Sequence, residues 1–150
     1  IAEVMGTAQV DEAIMAIDDF IASFPVAGRT ANGIFFAHSL PDVAYIDRFD
    51  PVCVHAPPEE LDLSEGGPVY QMVWGRRHTP ALIEKLAKAY DVEYFVIGHQ
   101  PQEFGYDTRF NRVIILASDH NHGMFLPVDC RKQYTFDELV DRIRPFAGVP

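Results

Sequence analysis

Cysteine is nearly absent: Cys53 and Cys130 are the only two in 150 residues. That is too few for the disulfide framework on which small secreted domains depend, and it suits a reducing, cytoplasmic setting. Long hydrophobic runs are missing as well. None approaches the roughly 18 to 20 residues that span a bilayer, and no basic-then-apolar signal segment opens the chain. Positive charge is scarce too, with 12 Lys and Arg against 22 Asp and Glu and a formal net charge of -10. A nucleic-acid groove needs clustered Lys and Arg to meet the phosphate backbone, so that class of partner is excluded. The expectation is a soluble cytoplasmic protein with neither a membrane nor a nucleic acid as its partner.

What the sequence does have is apolar content. With 48% hydrophobic residues over 150 positions, the chain can bury about two-thirds of its unfolded surface around one core. One domain, or a large piece of one, is expected. The first residue is Ile1 rather than methionine, which leads to the expectation that the chain was processed or cut from something longer.

Val10, Ala13, Ile14, Ile17, Phe20, Ile21 and Phe24 recur at helical spacing, with Asp11, Glu12, Asp18 and Asp19 in other sectors. This predicts an amphipathic helix over about residues 10–24, stopped by Pro25. A continuous apolar run, Ile34 to Ala37, predicts a buried strand at about 33–38 that ends at His38. Residues 39–68 are rich in Pro and Gly and read as a long irregular excursion, with one short strand at Val52 to His55. Further strands are predicted at about 69–74, 93–98, 112–117 and 123–129. Thr79-Pro80 opens a helix whose buried face is Leu82, Ile83, Leu86, Ala89 and Tyr90. Thr135 to Glu138 has the capping-box pattern and begins a terminal helix over about 136–146. The order predicts an α/β layout.

Two of the six histidines share an unusual context. FFAH and FVIGH each place an imidazole directly after a buried strand, where α/β sheets build their sites. A strand end fixes the backbone, so the ring is aimed with little ordering cost, and imidazole suits Zn, Mn and Fe. His38 and His99 are therefore metal-ligand candidates. Two histidines do not complete a metal site, and no CxxC or HExxH motif adds to them. A third feature is Arg76-Arg77 in an otherwise acidic chain. A guanidinium makes two parallel charge-assisted bonds to phosphate oxygens and stays charged at any working pH.

These stretches carry a family resemblance. IDDFIASFPVAGRTANGIFFAHSLPD resembles the segment of phosphoprotein-phosphatase-type, calcineurin-like metallophosphoesterases in which a helix and an "lP" turn lead to a strand ending in a histidine. YQMVWGRR resembles their "lWxR" element, VEYFVIGHQP their GHTP element, and VIILASDHNHGMFLPVD the closing strand pair with its "iDtG" turn. The four matches fall in the family's order and span roughly residues 16 to 130.

The resemblance implies roles position by position. His38 and His99 match histidines that ligate metal, and Arg76 matches the arginine that holds the substrate phosphate, with Arg77 as its neighbour if the register slips by one. It implies two divalent metals, Mn first with Fe or Zn as alternatives, that activate a water for in-line attack on phosphorus. Ser39 and Gln100 depart from the family pattern, and SDHNHG is an odd version of the last turn, so the roles of Asp119, His120 and His122 stay open.

The family's earlier blocks, GDxHG, GDxxDRG and GNHE, do not occur. The expectation is therefore the C-terminal half of a single domain, part of a two-sheet sandwich flanked by helices, with its N-terminal half missing. That half would be its partner. The full protein would act on phosphoserine or phosphothreonine proteins, or on dinucleoside polyphosphates, and this chain alone would be inactive. The rival reading is a non-catalytic binding or scaffold module that keeps the fold without a complete metal site.

Overall fold

The computed structural model describes residues 7–119 and 121–146. Its centre is a five-stranded sheet built from β1 (Ala27–Arg29), β2 (Ile34–Ala37), β3 (Tyr94–Ile97), β4 (Tyr106–Arg109) and β5 (Val113–Leu116), in the order β1-β2-β3-β5-β4. β2, β3 and β5 run parallel, and β1 and β4 close the two edges antiparallel. The three parallel strands are the continuous apolar runs of the sequence, as burial on both faces requires. Alternation along them splits the core. Phe35, Phe95, Ile97, Val113 and Ile115 face the layer that holds α4 (Pro80–Tyr90), while Ile34, Val96 and Ile114 face the layer that holds α5 (Phe136–Val140).

α4 begins as its sequence dictates, with the Thr79 hydroxyl accepting from Leu82 N and Pro80 at the first position. It stops at Asp91, whose φ of 52° is left-handed and ends the helical path. α5 carries the predicted capping box, in which the Thr135 and Glu138 side chains each accept from the other's backbone N–H.

Several expectations change. Residues 69–74 are not a strand but the helix α3 (Pro68–Trp74). Gly67 is extended at its N-cap and Pro68, lacking an N–H that the first turn does not need, starts it. Val69 and Met72, three apart, are buried, whereas Tyr70 and Trp74, four apart, face the other way. A short apolar run carries no period that separates strand from helix, and the Gly-Pro opening decides it. Val52–His55 is likewise not a strand. Asp50 caps a 3-10 turn over Pro51–Val54, accepting from Val52 N at 2.9 Å. The strand expected over 123–129 shrinks to β6 (Met124–Phe125), because Pro127 offers no ladder N–H. Its partner β7 (Arg144–Pro145) lies inside the range expected for the terminal helix, which ends at Val140. Arg144 precedes a proline and is steered to extended backbone.

α1 (Thr7–Ala22) forms as the periodicity indicates, and a short helix α2 (Glu60–Leu63) sits in the long excursion. None of the elements covers the apolar stripe of α1 among the described residues. Ile14, Ile17, Phe20, Ile21 and Phe24 are each more than half exposed.

Candidate functional site

Parallel pairing brings the two strand-end histidines together. β2 and β3 are neighbours in register, with Ala37 opposite Ile97, so the residues that follow both strands leave the sheet at the same edge. Gly98 N still donates to His38 O at 3.1 Å, which carries the pairing one step past the strands. His38 Nε2 then lies 3.0 Å from His99 Nδ1. Arg76, brought in by the C-terminal end of α3, donates from Nε to His99 Nε2 at 3.2 Å. The Trp74 ring meets His99 edge-on, centroids 5.4 Å apart. Three residues from three separate stretches of sequence thus form one contiguous group.

The backbone at this point is bent sharply. His99 has φ 65°, a left-handed value for a side chain with a Cβ, and Gln100 N donates back to Gly98 O at 2.8 Å across a three-residue turn. Non-glycine residues rarely sit there, and such strain clusters at functional sites. The turn aims Nδ1 of His99 at His38.

A second frame holds Arg76. The loop after His38 is tied to the end of α3 by Ser39 N to Met72 O (2.9 Å), the buried Ser39 Oγ to Gly75 O (2.5 Å) and Val43 N to Arg77 O (2.8 Å). Gly75 is packed so closely under this loop that a Cβ would strike the backbone of Leu40, Pro41 and Asp42. Arg77 is engaged differently from Arg76, donating from Nε to Asp42 Oδ2 at 2.9 Å. That bond, with Ala44 N and Arg77 N also donating, holds the Asp42 carboxyl below the usual carboxylate range. Arg77 therefore pins the His38 loop.

A cavity of about 360 Å³ opens beside the histidine pair and is also lined by Gln100, Pro101, Leu116, Ser118 and Asp119. Burial, then the charge of Arg76, then His38, holds His99 below the ordinary histidine value. It is neutral at pH 7 and has one lone pair to give. Either Arg76 takes that lone pair at Nε2, and Nδ1 carries the proton towards His38, or Nδ1 is free for a cation and Nε2 carries the proton.

The donor set fits a divalent cation in part. Two bonds of about 2.1 Å at the right angles of octahedral coordination put their nitrogens about 3.0 Å apart, close to the His38–His99 separation, whereas tetrahedral zinc sets them about 3.4 Å apart. Two imidazoles leave the coordination incomplete. Among the described residues no group of three or more His, Cys, Asp and Glu stands close enough to hold a metal. Asp119 lines the cavity without joining such a group, His122 lies beside the neighbouring depression with Pro101 and Asn121, and His120 falls outside the described residues.

Sequence reasoning assigned no positioning role to the frame: Ser39, Asp42, Trp74 and Gly75. The residues S-L-P-D directly after His38 were the available signal, since a small hydroxyl and an Asx turn beside a strand end are fixing devices. Gln100, noted only as a departure from the family pattern, was given no role there; its Nε2 is enclosed in the cavity wall with no acceptor.

No protein-family model matches the sequence, and no curated protein matches it. Among solved structures the chain is similar to a protein serine/threonine phosphatase from Saccharomyces cerevisiae that has similarity to human phosphatase PP5. The identity is 12%, the TM-score 0.47, and the match covers 69% of this chain and 38% of that one. The chain thus spans well under half the length of that phosphatase structure.

Proposed function

We propose that the chain carries part of the active site of a metal-dependent phosphoester hydrolase, with phosphoserine or phosphothreonine proteins, or dinucleoside polyphosphates, as substrates. The observation that carries this reading is the meeting of His38, His99 and Arg76 at one sheet edge, with imidazole nitrogens 3.0 Å apart and a guanidinium on the second ring. His38 Nε2 and His99 Nδ1 are the nitrogens that would hold a divalent cation, Mn first, Fe or Zn as alternatives. Divalent cations bound in such a site supply Lewis acidity and a deprotonated water at neutral pH. The remaining ligands come from polypeptide outside the described residues.

The protein's own groups do the rest. Arg76 leaves His99 and takes two phosphate oxygens, orienting the ester and offsetting the charge that develops on it. Trp74 walls His99 on one side. The Ser39–Gly75 and Asp42–Arg77 ties hold the histidine loop and the arginine at a fixed separation, as positioning to within about 0.5 Å demands. The long loop from Ser39 to Pro68 leaves the same edge and is the element best placed to set substrate choice.

The lack of a third metal-ligating group among the described residues favours a second reading, a binding or scaffold module that keeps the fold without turnover. Titration with Mn(II) or Zn(II), followed by calorimetry, separates the two. The first reading expects binding that His38→Ala and His99→Ala each weaken by at least about tenfold. Equal, weak binding by all three proteins removes it.

A further inference from the structure

We propose that the cavity where the three parallel strands begin is a second binding site, which takes the alkylammonium or alkylguanidinium group of a ligand. It lies at the end of the sheet opposite His38 and His99 and is independent of the hydrolase reading.

Topology places it. Gly33, Glu93 and Arg112 each immediately precede one of the parallel strands β2, β3 and β5, so all three share the edge at which those strands start. Five residues at about 3.3 Å each put that edge about 16 Å from His38. The cavity there has a volume of about 590 Å³, against about 360 Å³ beside the histidine pair. The turn that leads into β2 forms one wall, and the last turns of α4 form another.

Asn32 is the residue that calls for a ligand. It lines the cavity and is only 7% exposed. Its Nδ2 donates to the carbonyls of Asp129 (3.3 Å) and Lys132 (2.5 Å), which fixes the orientation of the amide. Its Oδ1 is then a buried acceptor with no donor among the described residues. An acceptor left in that state opposes folding, so a donor from outside the chain gains by meeting it.

The surroundings decide which donor. Glu93 is tied to the same turn, its N donating to Gly33 O at 2.8 Å. Its carboxylate meets the Tyr94 hydroxyl, and no cation among the described residues pairs with it. The C-terminal end of α4 brings the negative pole of the helix to the cavity. The three cations of the lining are engaged already, Arg29 with Asp91 (2.5 Å), and Lys88 (3.3 Å) and Arg112 (3.6 Å) both with Glu84.

An anion would therefore confront an amide oxygen, a carboxylate and a helix C-terminus. A metal ion lacks its ligands, since no group of three or more His, Cys, Asp and Glu stands close enough among the described residues. An ammonium or guanidinium group needs only a few directed acceptors. Ala31, Ala87 and Val92 supply apolar wall for the methylene stem that carries it.

The test is calorimetric titration of the whole gene product that contains these residues, with two probes. Spermidine represents a free amine, and a blocked pentapeptide with one arginine among glycines represents a polypeptide side chain. Glu93→Gln, at an exposed position, should weaken binding at least about tenfold. Ala31→Arg, which sets a resident cation on the cavity wall, should abolish it. In the 15N-labelled protein the Asn32 side-chain amide signals should shift on saturation. Spermidine binding alone assigns the site to free amines, and peptide binding at least as tight assigns it to a basic segment of polypeptide. Glu103→Gln, an exposed carboxylate elsewhere, should change nothing. Equal weakening by Glu93→Gln and Glu103→Gln would assign the binding to net negative charge and overturn the proposal. Binding of neither probe, or unmoved Asn32 signals, would overturn it too.

Discussion

Gly75→Ala tests the frame that sets His38 against Arg76. Gly75 has φ -64° and ψ 142°, extended backbone that any residue adopts, so alanine meets no conformational penalty there. The obstacle is space. The new methyl would fall on the carbonyl of Leu40 and close to Pro41 and Asp42. These are backbone atoms, which cannot swing aside as the end of a flexible side chain does. The loop must lift. Lifting it breaks the buried Ser39 Oγ–Gly75 O bond and loosens the Asp42–Arg77 pair.

Overpacking costs about 1–3 kcal/mol and a lost buried hydrogen bond about 1 kcal/mol more. A total of about 2–4 kcal/mol lowers the melting temperature by roughly 5–15 °C for a chain of this size. Thermal unfolding followed by circular dichroism reads the first effect, and Mn(II) titration reads the second, a fall in affinity of at least about tenfold as His38 moves off His99. Gly28→Ala is the internal control, since nothing lies within 4 Å of a Cβ built there. If Gly75→Ala melts with Gly28→Ala and binds Mn(II) as tightly, the clamp described above does not set the site.

In the whole gene product, Arg76→Ala should lower hydrolysis of a generic aryl phosphate by at least about a hundredfold, yet bind Mn(II) a few-fold more tightly, because His99 loses a neighbouring cation and a competitor for its lone pair. Unchanged turnover would rule out the phosphate-clamp role. Burial holds His78 below the ordinary histidine value, partly opposed by the Leu40 carbonyl, and His99 is held down in the same direction. The unfolded chain takes up those protons first, so stability should be full above about pH 6.5, fall as the pH drops towards the folded values and level off beneath them. Denaturant midpoints from about pH 8 to pH 5 test this slope, which His78→Leu should flatten; a wild-type series without any slope would contradict it. Thr135→Ala removes the cap of α5 and should cost about 1 kcal/mol, read as a lower urea midpoint with an unchanged slope.

The parallel strands were legible because burial on both faces leaves short continuous apolar runs, and His38 and His99 stood out because each closely follows the end of such a run. The hairpin strand Tyr106–Arg109 escaped notice, since an edge strand with one wet face carries little apolar signal. Its clue was the Phe110-Asn111 turn, where both residues have positive φ. Residues 69–74 were misread because period 2 and period 3.6 give the same short apolar run over six positions. The Thr135–Glu138 capping box and the Thr79-Pro80 helix start are local chemistry, complete within four residues, and are legible in the sequence outright.

The site divides along the same line. Sequence alone picked out His38, His99 and Arg76 as candidates, since imidazole and guanidinium are properties of residue type. Only tertiary structure decided that Arg76 rests on His99 while Arg77 is spent on Asp42. The two arginines are adjacent in sequence, and their roles part through a loop that starts more than thirty positions earlier, at Ser39. Hydrogen-bond partners depend on distance in space, which strand register and helix direction create and which no local pattern encodes.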